Sequence, residues 1–426
     1  MNNEKCPLPP AFQSPVSGPR SLSLYIHVPF CTAKCDYCDF FSMPLTAQPC
    51  CDAEFLLDAY AGRILADAQA LLERYKPDFV PSVYIGGGTP SILGAERMDR
   101  LLAGLYSLLS IQDALSAGKP AGNLPLEISV ELNPESACEE FLSVCRARGV
   151  SRVSMGVQSF YEPSRAAVRR NGLLSSAAIE KKLALVSEFF PGAFSVDLIS
   201  GLPLQTQAIL SDDLDRVLAF NPVHVSLYAL SLEKGTVLEQ NTRKQGSCAA
   251  LPDTDEADSL WLSGRDRLLD AGYEQYEVSN FSLSGKQCLH NIRYWRMESW
   301  LGLGPGASGT IIDEDTGTAW RRTISPELEK WLAAPETCVR EEFLAPAVLM
   351  RETLLMGFRY IKGPDPVLFR KRFGIDITDA IPKTLEHWQD SGCMAAGGIA
   401  LNRKGLLLLD RFLVDAFVEL DKNAGI

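Results

Sequence analysis

The chain has 426 residues, of which 46% are hydrophobic and 22% are charged, and its formal net charge is −12. This composition indicates a soluble globular protein with room for two or three domains. The acidic balance argues against a strong nucleic-acid binder, because phosphate neutralisation requires an excess of Lys and Arg. The sequence shows no signal peptide and no apolar run of about 18 residues that would span a membrane, so we expect a cytoplasmic protein.

Six apolar segments predict buried strands, and they alternate with helical segments. The strands cover residues 21–28, 80–85, 126–132, 152–157, 194–200 and 223–230, and the clearest helix covers residues 53–75. This alternation predicts a parallel sheet. Residues 1–20 are rich in Pro and Ser and predict a mobile tail, and residues 111–124 predict a surface loop.

Three of the twelve cysteines follow the first strand at a regular spacing. Cys31, Cys35 and Cys38 form a C-x3-C-x2-C triplet. Thiolates suit iron–sulfur clusters, and three of them would leave one iron of a four-iron cube open to another ligand. Two other interpretations stay open: a zinc site that includes His27, and three unrelated buried thiols. The remaining cysteines, whose scatter fits a reducing compartment, are Cys6, Cys50, Cys51, Cys138, Cys145, Cys248, Cys288, Cys338 and Cys393.

Later strands carry glycines or polar side chains at or near their ends. Gly86-Gly87-Gly88-Thr89 follows the second strand; it lets another molecule approach the backbone, although such a run also makes a plain turn. Glu131 lies next to the end of the third strand, where a carboxylate can accept bonds from ribose hydroxyls or be solvated. Gln158 follows the fourth strand. Asp197 lies inside the apolar fifth strand, where a carboxylate is costly unless it is paired.

The cysteine triplet, with Tyr37 before its third cysteine, resembles that of the radical S-adenosylmethionine (SAM) enzymes. The resemblance implies an α/β fold with a partial (β/α)6 barrel, a [4Fe–4S] cluster on Cys31, Cys35 and Cys38, and SAM on the open iron. The segments G-G-G-T-P-S and E-x-N-P-E are similar to loops that meet SAM in this family. The residues that the resemblance assigns to SAM are Tyr25, Tyr37, Phe40, Gly87, Gly88, Thr89, Glu131, Gln158, Arg170, Asp197 and Ala229.

One of these assignments has a competitor in the adjacent residue. Arg170 would pair with the SAM carboxylate through a charge-assisted hydrogen bond. Arg169 is equally able to do so by residue type. The sequence leaves the choice between the two open.

A second motif narrows the resemblance. Residues 290–295 read H-N-I-R-Y-W, which resembles the H-N-x-x-Y-W of the HemW branch of the coproporphyrinogen-oxidase-like radical SAM proteins. This branch implies a haem chaperone whose partners are haem and a haem-accepting protein, respiratory proteins among them. His290 would then be the axial iron ligand, and Cys288 a spare candidate. The residues that the resemblance places at the haem are His290, Asn291, Tyr294 and Trp295.

The chain departs from related patterns at two positions. Oxygen-independent coproporphyrinogen III oxidases of porphyrin biosynthesis carry a fourth cysteine where this chain has Phe40, which favours the chaperone over the oxidase as alternative. The family usually has a His in G-L-G-x-G-A-H, where this chain has Ser308, so the role of that His is not carried over. A third alternative is a binding protein that keeps the cluster without radical chemistry. Cleavage of SAM and the oligomeric state stay open.

Residues 323–426 predict an accessory domain that follows a core of residues 21–322. Helices are predicted at 346–359, 366–373, 377–390 and 410–420, with short β segments between 394 and 409. This order resembles a small winged-helix-like α+β lobe. Its mixed charge gives no basic recognition helix, so we interpret it as a lid or interaction domain.

Overall fold

The computed structural model describes residues 19–45, 53–109, 126–170, 174–245 and 251–423. Three of the sequence predictions therefore lie outside the described residues: most of the tail at 1–20, any role of Cys50 and Cys51, and the loop at 111–124. None of the described helices is long and apolar enough to cross a membrane.

The described strands are short and mostly buried. They are β1 (Ser23–Val28), β2 (Phe30–Cys31), β3 (Met43–Pro44), β4 (Ser82–Gly87), β5 (Glu127–Leu132), β6 (Arg152–Gln158), β7 (Phe194–Ser200), β8 (His224–Ala229), β9 (Glu274–Gln275), β10 (Asn280–Ser282), β11 (Trp300–Leu303), β12 (Ser308–Asp313), β13 (Thr318–Ile324) and β14 (Val339–Leu344).

The described helices follow most of these strands. They are α1 (Ala53–Tyr75), α2 (Gly94–Leu108), α3 (Glu139–Ala147), α4 (Glu162–Ala167), α5 (Ser176–Phe189), α6 (Gln207–Ala219), α7 (Val237–Gln245), α8 (Thr254–Asp270), α9 (Leu289–Trp295), α10 (Leu328–Ala333), α11 (Pro346–Gly357), α12 (Pro366–Phe373), α13 (Ile377–Ala380), α14 (Pro382–Asp390), α15 (Arg403–Leu406) and α16 (Leu409–Asn423).

One large sheet organises the described chain. Its strand order is β14-β13-β12-β11-β1-β4-β5-β6-β7-β8-β10-β9. The run from β11 to β8 is parallel, and it contains the six predicted strands in chain order. The remaining strands extend both ends of this run in antiparallel fashion. The predicted α/β class is thus confirmed, while the parallel strand β11 was missed.

The two sides of β1 show how the strands divide their residues. Leu24, Ile26 and Val28 are fully buried and belong to one apolar core with Tyr60 of α1. The alternate residues Tyr25 and His27 point to the other side of the sheet. The Tyr60 hydroxyl donates to the His27 carbonyl at 2.7 Å, so α1 also fixes the backbone at the end of β1. The parallel strands therefore turn apolar side chains to the helices and leave polar ones for the inner side.

The C-terminal region is helical and has its own apolar core, which includes Phe358, Phe369 and Phe412. The predicted β segments are largely absent from the described part of this region: Met394 and Leu401 form a single antiparallel bridge. Residues 403–406, predicted as β, form α15, because the Asn402 side chain caps the backbone N–H groups of Lys404 and Gly405. The domain boundary after residue 322 stays a prediction.

Candidate metal and cofactor site

The cysteine loop begins where β1 ends. Cys31, Cys35 and Cys38 are free thiols; Cys35 is buried and the other two are half-buried. Burial raises the pKa of the Cys31 and Cys38 thiols, and proximity to Cys35 raises both further. Three neighbouring thiols, one buried and two half-buried, form a donor set that suits an iron–sulfur cluster, since bound iron stabilises the thiolates.

Backbone hydrogen bonds hold this loop against the neighbouring segments. The Asp36 N–H donates to the Val168 carbonyl and the Leu238 N–H to the Asp36 carbonyl, both at 2.9 Å. The Met43 N–H donates to the Pro29 carbonyl at 2.8 Å. The loop is therefore shaped by chain segments far apart in sequence.

The glycine loop after β4 lies directly against the cysteine loop. The Gly88 N–H donates to the Val28 carbonyl, and the Thr89 N–H donates to the Phe30 carbonyl, both at 2.7 Å. A Cβ on Gly88 would lie 2.5 Å from the Phe30 carbonyl oxygen, and Gly87 has a φ of +105°. Glycine is required here because no side chain fits between the two loops.

His27 does not face the cysteines as a fourth zinc ligand would. Its Nε2 bonds the Phe41 carbonyl at 2.8 Å, and its Nδ1 bonds the Tyr25 hydroxyl at 2.9 Å. A carbonyl can only accept, so Nε2 carries the proton and Nδ1 accepts from Tyr25. Among the described residues no three His, Cys, Asp or Glu side chains surround a single metal ion. The cysteines of a four-iron cube each bind a different iron, so they do not converge on one ion.

A polar network connects the cysteine loop to β5 and β6. Thr89 Oγ1 lies 3.5 Å from Cys31 Sγ and accepts a hydrogen bond from Asn133 Nδ2 at 2.8 Å. Arg170 donates from Nη2 to Asn133 Oδ1 at 2.8 Å, and its Nη1 lies 3.8 Å from Cys35 Sγ. Asn133 was not named as a site residue, although it belongs to the E-x-N-P-E segment.

The neighbouring arginines lie in different surroundings. Arg170 is 8% exposed, whereas the Arg169 side chain is 63% exposed and pairs with Asp36. Arg170 is therefore the one directed into the site.

Two carboxylates lie on the inner side of the sheet. Glu131 accepts from the Tyr84 hydroxyl at 2.7 Å and from the Gly87 N–H at 3.0 Å. Burial, with a smaller contribution from the nearby Asp197, raises the pKa of Glu131 to about 7. Asp197 accepts from the Ser154 hydroxyl at 3.1 Å, and burial raises its pKa also. The Asp197 carboxylate thus accepts hydrogen bonds from hydroxyl groups, which offset the free-energy cost of its burial.

Gln158 provides a direct indication that a ligand is needed. Its backbone has a φ of +69°, a left-handed conformation that is strained for a residue with a side chain. The register between β6 and β7 shifts at this position. Its Oε1 atom is buried and has no hydrogen-bond partner. A ligand hydroxyl would satisfy this acceptor, so the residues present fit a ribose-bearing cofactor such as SAM.

The other residues assigned to SAM lie in several parts of the described chain, and their contact with SAM stays a prediction. Tyr25 and Tyr84 are neighbours in the sheet register between β1 and β4. Tyr37 packs on a small apolar cluster that includes Ile199. Phe40 is 63% exposed, and Ala229 is exposed at the end of β8.

The H-N-x-x-Y-W residues lie on α9, at the amino ends of the parallel strands, whereas the cysteine loop lies at their carboxyl ends. His290 is 1% exposed. Its Nδ1 lies 2.9 Å from Ser82 Oγ, and its Nε2 lies 3.0 Å from the Tyr294 hydroxyl. Ser82 donates its own proton to Ser23 at 2.8 Å, so it accepts from His290, whose Nε2 accepts from Tyr294. Neither ring nitrogen is available to iron in this conformation, and the assignment of His290 to haem iron stays a prediction.

The remaining haem-motif positions are also engaged or enclosed. Asn291 Nδ2 lies 3.5 Å from the Tyr276 hydroxyl, and Trp295 Nε1 is buried without a partner. Cys288, the spare ligand, donates to Glu127 at 3.3 Å, and burial raises the pKa of its thiol. Ser308 begins β12, and its hydroxyl lies 3.4 Å from that of Thr323.

Replacing His290 with Gln should make the protein less sensitive to acid. Burial lowers the pKa of His290 to about 3. Below about pH 6.5, therefore, this histidine is protonated in the unfolded chain and stays neutral in the folded chain. Stability is therefore lost as the pH falls from 6.5. The variant should lose about 1.4 kcal/mol per pH unit less than the parent over this range, as measured by urea unfolding at pH 6.5, 5.5 and 4.5. His387→Gln, which removes an exposed histidine, is the control; equal slopes for parent and His290→Gln would contradict the burial.

Comparison with known proteins assigns the class first. The model of the radical SAM superfamily matches residues 25–217. The structure of the radical SAM enzyme coproporphyrinogen III oxidase (HemN) from Escherichia coli superposes with a TM-score of 0.72 at 21% identity, covering 93% of this chain and 90% of that one. This likeness shows a shared fold. A radical SAM protein uses a [4Fe–4S] cluster and SAM, for which the cysteine loop and the inner space supply matching residues.

Relatives that align over most of their length then give the family. The bovine mitochondrial radical S-adenosyl methionine domain-containing protein 1 is 32% identical over 424 residues, which cover 96% of this chain and 90% of that protein. The haem chaperone HemW of Lactococcus lactis is 31% identical over 373 residues, covering 85% and 90%. That of E. coli is 36% identical over 296 residues, covering 69% and 71%. The chain belongs to the HemW family of radical SAM proteins.

Proposed function

We propose that this chain is a haem chaperone, a radical SAM protein that binds haem and delivers it to haem proteins. The observation that carries the proposal is its similarity, at 31–36% identity, to proteins named haem chaperone HemW. The cysteine and glycine loops support it, because they provide the thiol donors and the close backbone approach that a cluster and SAM require.

The chain's own residues divide the work of holding these cofactors. Cys31, Cys35 and Cys38 would hold the cluster, and Arg170 would place positive charge beside it. Glu131, Gln158 and Asp197 would accept hydrogen bonds from SAM on the inner side of the sheet. A bound cluster and SAM would together supply one-electron chemistry. The buried first strand and the glycine loop, which is hydrogen-bonded to the residues on either side of Pro29, would limit the access of water to a bound cluster from that side.

Oxidation of coproporphyrinogen III is the alternative, and the fold shared with HemN is its support. The fold by itself does not carry the activity, since one fold serves many functions. The oxidase pattern places a fourth cysteine at the position of Phe40, and the Phe40 ring is 63% exposed and offers no thiol. This difference favours the chaperone.

Anaerobically purified and reconstituted protein should bind haem in a saturable way and should not convert coproporphyrinogen III to protoporphyrinogen IX. The first result is measured by titration of the Soret absorption, and the second by chromatography of the porphyrins after incubation with SAM and a reductant. Loaded protein mixed with an apo haem protein should then transfer haem to it. Protoporphyrinogen formation would assign the oxidase activity instead, and absence of haem binding would refute the chaperone.

A further inference from the structure

Helix α9 packs at the amino ends of the parallel strands, opposite the cysteine loop at their carboxyl ends. The Glu127 carboxylate, at the start of β5, accepts from the Leu289 N–H at 2.9 Å and the His290 N–H at 3.0 Å. Arg152, at the start of β6, donates to the carbonyls of Lys286 at 2.7 Å and Gln287 at 3.2 Å. The helix is thus bonded to the amino ends of successive strands, and its place in the fold is closely defined.

The His290 ring lies between this helix and the strands that carry the SAM site. Besides its bonds to Ser82 and Tyr294, it stacks on Tyr84, with ring centroids 5.2 Å apart and an interplanar angle of 30°. Its centroid is 6.5 Å from that of Tyr25. An aromatic ring held in this way limits the positions that both tyrosines can take.

The two tyrosines pass this constraint directly to the cofactor site. The Tyr84 hydroxyl donates to Glu131 at 2.7 Å. The Tyr25 hydroxyl bonds His27, whose other nitrogen bonds the Phe41 carbonyl in the cysteine loop. One residue, Tyr84, therefore lies between His290 and Glu131, and two residues, Tyr25 and His27, lie between His290 and the cysteine loop.

We propose that His290 is a positioning residue for the SAM site. Its ring holds Tyr84 and Tyr25 in place from the side of α9, and it is not the haem iron ligand. This inference rests on the proposed function only in taking SAM as the ligand of that site. Iron coordination through Nε2 would require His290 to give up the Tyr294 hydroxyl and to leave a ring stack at a position that is 1% exposed. Its environment is complete without a metal.

The histidine content makes the inference testable with few variants. The sequence has four histidines. His27 and His224 are each 3% exposed and His290 is 1% exposed, while His387 on α14 is exposed. His387→Ala is therefore a control for loss of an accessible imidazole.

The test measures SAM affinity and haem binding separately on reconstituted His290→Ala, His290→Gln, Ser82→Ala and His387→Ala proteins. Iron content and thermal unfolding are recorded first. His290→Ala and Ser82→Ala should each weaken SAM binding about tenfold at unchanged iron content. A double variant that carries both substitutions should bind SAM no more weakly than either single variant, because both changes break the same contact. His290→Gln should recover most of the affinity, since an amide can donate to Ser82 and accept from Tyr294.

Haem binding is the second measurement, and we expect it to be unaffected by these substitutions. The Soret position and haem affinity should be the same in all His290 and Ser82 variants as in the parent. The inference is overturned if His290→Ala binds SAM as the parent does, or if haem affinity falls in both His290 variants but not in Ser82→Ala. If His290→Ala does not fold, Ser82→Ala and His290→Gln decide the matter alone. Should the parent bind no haem, the chaperone proposal fails, and the SAM measurements still judge the role of His290.

Discussion

Replacing Cys35 with Ala should abolish the cluster. The reconstituted parent is expected to hold about four irons per chain and to show the broad visible absorption of a cube. Cys35 is the most buried of the three thiols, at 7% exposure, and its sulfur contacts Arg170. Two remaining thiolates do not retain a cube, so iron content and visible absorption should fall to near background, as measured by iron analysis and absorption under anaerobic conditions.

The chain supplies matched controls for this result. Cys138→Ala removes a half-buried thiol that precedes α3, away from the cysteine loop, and should leave iron content unchanged. Cys50→Ala and Cys51→Ala test the alternative that these residues add ligands to the cluster. Unchanged iron in Cys35→Ala would invalidate the assignment of the metal site.

Asp197→Ala and Arg170→Ala should both weaken SAM binding. Each removes a charged side chain from the inner side of the sheet, and the loss of one charge-assisted hydrogen bond costs roughly 1.5–3 kcal/mol, or roughly 10- to 150-fold in affinity. Equilibrium binding of SAM to reconstituted protein measures the effect. Because Arg170 also contacts Cys35, affinities are compared at equal iron content.

Surface residues of the same types provide the controls. Asp212 forms a surface ion pair with Arg216 on α6. Arg216→Ala and Asp212→Ala should bind SAM as the parent does. If Asp197→Ala and Arg170→Ala do so too, these two positions have been wrongly carried over from the family.

The parallel part of the sheet was predictable because its strands are apolar runs that end at glycine, proline or polar residues. Helix α1 was predicted with the bounds that the structure shows, since its apolar residues recur at helical spacing. Strand β11 was missed because it has four residues, W-L-G-L, with a glycine among them. Such a short segment carries no periodicity that distinguishes a strand from a loop.

The candidate site was predictable where its residues follow one another in a motif. The cysteine triplet and the glycine loop are of this kind. The surroundings of His290 were not, because its partner Ser82 lies 208 positions away in the sequence. No local sequence pattern predicts that contact. The resemblance to H-N-x-x-Y-W assigns a role to the histidine, but it does not show which residues the histidine ring contacts. The same limit applies to Asn133, whose hydrogen bonds reach Thr89 in the glycine loop and Arg170 after α4.

The place of β1 in the sheet has a consequence for how the protein withstands oxygen. Strand β1 is hydrogen-bonded along both edges, to β11 and to β4, and the cysteine loop grows from its end. Loss of a bound cluster to oxygen would break none of these backbone hydrogen bonds. We therefore expect a molecule that has lost its cluster to keep the strand that positions its cysteines, and iron and sulfide should restore the cluster without unfolding of the chain.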